Sequence, residues 1–196
     1  MSHKIDPDTT AVMYRPVLIR AGIALIFGIA TFFIQAPTDA VVNYGTAIFF
    51  LFSGSAMWEY LRRDPVPVGM RSPLSLIAAV WMLAAITLVG IQLGGLSATV
   101  TWVTIAAALG LSGIAEVWAS RWRKEFIPAR DHLIAGIAGI LMAILLIGMD
   151  VDYHRIFGIT GTYAFITGVL FGITGIGHWL DTRKAVKDHG YQPPAP

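Results

Sequence analysis

Glu59, Glu116 and His178 are three ionisable residues that fall near one edge of long apolar runs. Such residues are functional candidates because hydrocarbon offers them no water. Glu59 stands three residues before Arg62 and reads as reaching the surface or pairing with the basic loop beyond it. Glu116 stands five residues before Arg121, which places it about 7–8 Å deeper along a helix. Glu116 and His178 also occupy the same position of an internal repeat, where the first copy has Met57. Histidine titrates near neutral pH, so a carboxylate and an imidazole at matching depth form a candidate proton-sensing pair. The plainer alternative is that both cap the membrane edge.

Other chemistry finds little material. The absence of cysteine removes disulfides, iron–sulfur clusters, thiolate zinc sites and cysteine nucleophiles. No G-x-S-x-G, phosphate-binding glycine loop or H-E-x-x-H is present. Asp150-x-Asp152-x-His154 has too few ligands for a metal cage and reads as a solvated loop. His3, His132 and His189 fall in polar segments at no ligand spacing. Trp58, Tyr60, Trp118, Trp122 and Trp179 gather toward one end of the apolar runs, and Tyr44, Trp102 and Tyr153 toward the other, as in an aromatic belt. No histidine lies mid-run to ligate haem. The expectation is a protein without catalytic residues, cofactor or metal.

The elements that must position these residues follow from composition. Of 196 residues 56% are hydrophobic and only 13% charged, and mean hydropathy is +0.67. These values exclude an ordinary soluble domain. Six apolar runs, about 17–35, 40–61, 74–93, 98–119, 133–149 and 156–180, suit membrane-spanning helices. The ten prolines avoid the middles of these runs. The connections are short, so one membrane domain over 17–183 is expected, with tails at 1–16 and 184–196.

Basic residues set the orientation, because short loops rich in Lys and Arg stay cytoplasmic. With the N-terminus inside, Arg155 is the single outer member of the fourteen Lys and Arg, while Asp39, Asp150 and Asp152 lie outside. The same clustering beside apolar runs accounts for the net charge of +2 without nucleic acid as a partner. A cleavable signal peptide over 17–35 is a rival reading, given Ala36-Pro37-Thr38-Asp39-Ala40. Its removal would leave an odd number of spans and a basic tail outside.

The pattern [ST]-G-x-[AG]-x5-R occurs three times: Ser53-Gly54-Ser55-Ala56 to Arg62, Ser112-Gly113-Ile114-Ala115 to Arg121, and Thr174-Gly175-Ile176-Gly177 to Arg183. Copies about 60 residues apart predict three related hairpins, about 17–61, 74–119 and 133–180. Two helices per unit make the repeats parallel, not inverted, which lowers the case for a transporter built from inverted halves. The fold class expected is therefore an all-α integral membrane protein. Its six transmembrane helices form three parallel repeated helical hairpins, with both termini inside.

With Arg20-Ala21-Gly22-Ile23-Ala24-Leu25-Ile26-Phe27-Gly28-Ile29 in the first hairpin, and Arg130 followed by Gly136 and Gly139 in the third, the chain resembles the HdeD-like family of small membrane proteins. The middle hairpin departs, opening Ser72-Pro73-Leu74 without the arginine. The resemblance implies six helices and a link to acid or envelope stress, and it implies no catalytic residue.

Small residues supply packing faces where lipid gives little drive for association. Gly158, Gly161, Ala164, Gly168, Gly172 and Gly175 share one face of the sixth run, and Gly28, Gly54 and Gly113 mark further close approaches. Function is expected to lie in contact: an accessory, assembly or stabilising subunit of a respiratory or cell-envelope complex. Its partners are then the lipid bilayer and other integral membrane proteins, or further copies of itself in a homo-oligomer. The alternatives are a small proton-linked transporter or channel, or an acid-stress membrane factor of the HdeD type.

Overall fold

The computed structural model describes residues 7–124, 126 and 129–189. It is all-helical: α1 Pro7–Phe33, α2 Asp39–Leu61, α3 Val68–Leu93, α4 Ala98–Ala119, α5 Ala129–Ile147 and α6 Tyr153–His189, with a 3-10 turn at Ser120–Trp122 after α4. No strand occurs among the described residues. All six helices are long and apolar enough to cross a membrane. Lipid permits this class of solution because a helix satisfies its own backbone.

Helix ends depart from the hydropathy limits where polar sequence continues a helix. α1 begins at Pro7, with Pro16 inside it, and α6 runs on to His189 through the basic segment after Leu180. Hydropathy measures what lipid accepts, whereas helix propensity favours segments with Ala, Lys and Arg in water as well. The tails expected at 1–16 and 184–196 are therefore helical over 7–16 and 184–189, and the remainder of each lies outside the described residues. α3 likewise starts at Val68 and carries Pro73 in its second turn.

Short connections make successive helices antiparallel. The six close into a ring, each packed on its neighbours in chain order and α6 returning to α1. The most extensive pairings are α1 with α6, α2 with α3, and α4 with α5. Glycines explain them. Gly113 and Gly136 put the backbones of α4 and α5 in direct contact, such that a Cβ on Gly113 would lie 2.7 Å from the Gly136 carbonyl. Gly54 faces Ala78 and Met82 on α3. On α6, Gly161, Gly168 and Gly175 face Thr31, Leu25 and Leu18 of α1, and Gly28 of α1 faces the Phe165 backbone. Gly172 is looser, since a Cβ there would meet only Ala21 at 3.9 Å.

Outside the ring, Ile26, Phe33, Ile48, Leu83, Ile86, Ile114 and Ile173 are exposed. A continuous apolar exterior of this kind suits lipid and would be a liability in water. Inside, Phe27, Phe49, Phe50, Trp81 and Phe157 pack as one aromatic layer with ring centroids 4.6–6.2 Å apart. At the end of the bundle bearing the α1–α2 and α3–α4 connections, Asn43 donates to Gln92 at 2.9 Å and accepts from Thr101 at 2.8 Å. This joins α2, α3 and α4. Trp102 Nε1 donates to the Leu146 carbonyl at 2.7 Å and ties α4 to α5 at the same end.

Candidate functional site

The ring's interior holds a charge cluster to which every helix contributes. Arg20 of α1 donates to the Glu116 carboxylate of α4 in a buried ion pair. His132 of α5 brings its Nδ1 to 3.8 Å from the same carboxylate oxygen. That is too long for a direct hydrogen bond but close enough for charge coupling. From α6 the Phe171 ring lies under the Arg20 guanidinium with its centroid at 4.0 Å, and from α3 Trp81 approaches at 5.3 Å. Arginine favours such stacked, weakly hydrated settings. Tyr60 of α2 packs edge-on against His132, with centroids 5.7 Å apart. The Tyr163 hydroxyl of α6 lies within the electrostatic reach of both Arg20 and Glu116.

Local packing explains the convergence. Gly113 stands one turn before Glu116, and Gly136 one turn after His132, so the glycine contact of α4 and α5 brings carboxylate and imidazole together. Gly175 stands one turn past Phe171 and meets Leu18, two residues before Arg20, so the α6–α1 contact places the ring under the guanidinium. By helix rise Glu116 lies about 27 Å along α4, well toward the end of the bundle where both termini lie.

The cluster is buried and incompletely bonded. Arg20, Glu116, His132 and Tyr60 are all buried. Among the described residues, Glu116 Oε2, His132 Nδ1, Tyr163 Oη and Trp81 Nε1 make no hydrogen bond within the protein. Unbonded polar atoms in an apolar interior are costly and mark places where a proton, water or ion changes the balance. A cavity of about 10 Å³ adjoins them, lined by Val17, Arg20, Tyr60, Asp131, His132, Phe171 and Thr174, about the space one water needs. Asp131, in the first turn of α5, is only half-buried and lies at the cavity's edge toward that same end.

The structure does not bring Glu116 and His178 together. The glycine contacts of α6 with α1 set the register of α6 so that Phe171 comes level with Arg20. His178, seven residues further, is then about 10 Å nearer the end with the termini. Its electrostatic neighbours are Asp131 and Asp181, and its carbonyl accepts from Thr182. Shared position in a sequence repeat therefore did not translate into contact. Three cluster members sit where the sequence does not suggest: Arg20 reads as a basic residue flanking the membrane, His132 as part of a polar connection and Tyr60 as part of an aromatic belt. All three are interior. Glu59 does pair with a basic neighbour, Arg63, one turn on. In the far connection Asp150 pairs with Arg155 at 3.3 Å.

A second feature lies on the outer wall. Between α4 and α5 a groove of about 560 Å³ opens toward the exterior, lined by apolar side chains that include Trp102, Ala106, Gly110, Ile114, Ala143 and Ile147. Small residues at Ala106, Gly110 and Ala143 form its floor.

Comparison with protein-family models, with curated proteins and with solved structures finds no match to this chain. The fold and the cluster therefore carry the functional argument unaided.

Proposed function

We propose that the chain is a proton-responsive protein of the cell membrane, with both termini cytoplasmic and its six helices arranged as three repeated hairpins. The Arg20–Glu116–His132 cluster carries this reading. An arginine, a carboxylate and an imidazole held together inside a membrane domain, with unbonded polar atoms around them, have two charge arrangements that differ by one proton. Protonation of His132 on α5 adds a second cation beside the carboxylate that already holds Arg20 across the ring. That changes the forces between α1, α4 and α5. Such a device suits the acid-stress role implied by the resemblance to the HdeD-like family. It requires no turnover and no cofactor.

The test uses the protein in lipid nanodiscs, with tryptophan emission followed from about pH 7.5 to about pH 5, the range in which histidine normally titrates. A reversible change is expected, lost in His132→Gln and in Glu116→Gln and reduced in Trp81→Phe. A flat response in the unaltered protein, or one that survives both cluster substitutions, overturns the reading.

The groove between α4 and α5 favours a second reading, an accessory or assembly subunit that seats a helix of a larger membrane complex. Its floor of small residues is the kind of surface that lets a helix approach closely in lipid. Gly110→Phe should then abolish co-purification of a partner in mild detergent while leaving the melting temperature unchanged.

A further inference from the structure

We infer that protons reach Glu116 and His132 from one end of the bundle only, past Asp131, so that the protein reports the pH of that side and does not conduct protons across the membrane. This rests on the proton-responsive reading and adds its sidedness.

The two directions out of the cluster are built differently. Toward the end with the termini, the cavity between α1, α2, α5 and α6 joins Arg20, Tyr60 and His132 to Asp131 and Thr174, both only half-buried. A single water there would have the two or more polar partners that hold a buried water in place. Asp131 can therefore pass a proton inward through one water.

Toward the other end the interior is closed. Phe27 lies about 10 Å beyond Arg20 along α1, and Phe49 and Phe50 lie 10 or more residues beyond Tyr60 along α2, at least about 15 Å. Their rings join Trp81 and Phe157 in the packed layer described above, and Phe49, Phe50, Trp81 and Phe157 are all buried. Beyond that layer, Asn43, Gln92 and Thr101 satisfy one another. Thr46 and Ser53 are buried hydroxyls on α2 without a partner. They stand seven residues apart, about 10 Å, which no direct proton transfer spans. Thr160 and Thr167 bond carbonyls of their own helix.

The titratable and charged groups around the cluster are Arg20 from α1, Tyr60 from α2, Glu116 itself from α4, Asp131 and His132 from α5, and Tyr163 from α6, with His178 and Asp181 further along α6. α3 contributes Trp81, which does not titrate. Asp181 is exposed but stands ten residues past Phe171, about 15 Å along α6, so Asp131 is the water-accessible carboxylate that lines the cavity.

The experiment uses the full chain in sealed liposomes sorted by the accessibility of an N-terminal affinity tag, with tryptophan emission followed after an external jump from about pH 7.5 to about pH 5.5. Tag-out vesicles should respond promptly, and tag-in vesicles only once nigericin acidifies the lumen. Asp131→Asn should slow the prompt phase severalfold and leave its end-point unchanged. Proton flux measured with a trapped pH dye should equal that of protein-free liposomes. A prompt response in both orientations, or flux above the protein-free level, overturns one-sided access while leaving the proton-responsive reading intact. An Asp131→Asn protein as fast as the unaltered one removes Asp131 from the route. No response in either orientation even with nigericin overturns the underlying reading, and this inference with it.

Discussion

Arg20 and Glu116 are 96 residues apart in sequence and sit on helices that are not neighbours in the ring, yet they form a buried ion pair through its centre. The α1–α6, α2–α3 and α4–α5 pairs are held by small residues at their crossings. The ion pair is different in kind, because it couples opposite walls. Charges taken out of water are tolerated only while they face each other, since attraction in a low-dielectric interior must offset the loss of hydration. The pair is thus a bolt as long as both partners are charged.

Removing one partner should therefore harm the fold more than removing both. Glu116→Gln or Arg20→Gln should destabilise the protein by about 3–5 kcal/mol, because each strands the other polar group. The double substitution Arg20→Met with Glu116→Leu should recover most of that loss. Thermal melts in detergent decide the matter, and a double variant as unstable as the sum of the singles would mean the pair has no mutual energy.

The glycine crossings separate equally conservative substitutions. Gly113→Ala and Gly136→Ala place a methyl group against backbone of the opposite helix, and overpacking of this kind costs about 1–3 kcal/mol. Both should also loosen the approach of His132 to Glu116. Gly172→Ala, whose added methyl meets Ala21 at an ordinary distance, and Gly158→Ala, which meets open space, should leave the melting temperature unchanged or slightly higher. Equal losses at all four positions would show that helix crossing distance is not what these glycines set.

The helices were legible in the sequence because lipid demands about 20 apolar residues from each span, and loops must be short and polar. The repeated Gly54, Gly113 and Gly175 were legible for a related reason: close crossings in lipid require small residues at fixed spacing. The cluster was not. Arg20 looks like a flanking basic residue because nothing local distinguishes an arginine that turns inward from one that reaches the headgroups. His132 looks like part of a connection because α5 starts four residues before the apolar run does. Glu116 stands out by depth alone, but its partners, Arg20 on α1 and His132 on α5, reach it through packing between distant helices that appears in no short pattern. Arg20 lies within the apolar run 17–35 and so calls for a buried carboxylate such as Glu116, which was the signal available for the missed pairing.

At the far end, the Asn43 amide joins three helices through Gln92 and Thr101. Asn43→Leu removes both bonds and leaves two polar groups without their partner, at about 1–3 kcal/mol. Thr101→Val removes one bond and should cost less, about 1 kcal/mol. Because these bonds lie beyond the aromatic layer from the cluster, neither variant should alter the pH response of tryptophan emission in nanodiscs. A shifted response in Asn43→Leu would mean the two ends of the ring are mechanically coupled.

Orientation decides which compartment the cluster reads, and the basic residues of the connections make the choice. Arg62, Arg63, Arg71, Arg121, Arg123 and Lys124 flank or lie in the α2–α3 and α4–α5 connections, whereas Arg155 lies beside the α5–α6 connection and is already paired with Asp150. Basic residues resist translocation, so the first set should stay in the cytoplasm and Asp152 should face outward. The chain has no native cysteine to confuse the measurement. In intact cells a thiol reagent that cannot cross the membrane should label Asp152→Cys and leave Arg123→Cys untouched, with labelling of Arg123→Cys appearing only after permeabilisation. Since Asp131 lies at the same end as Arg123, this pattern assigns the cluster to cytoplasmic pH. Labelling of Arg123→Cys in unbroken cells would reverse the assignment, and the same cluster would then face the outside.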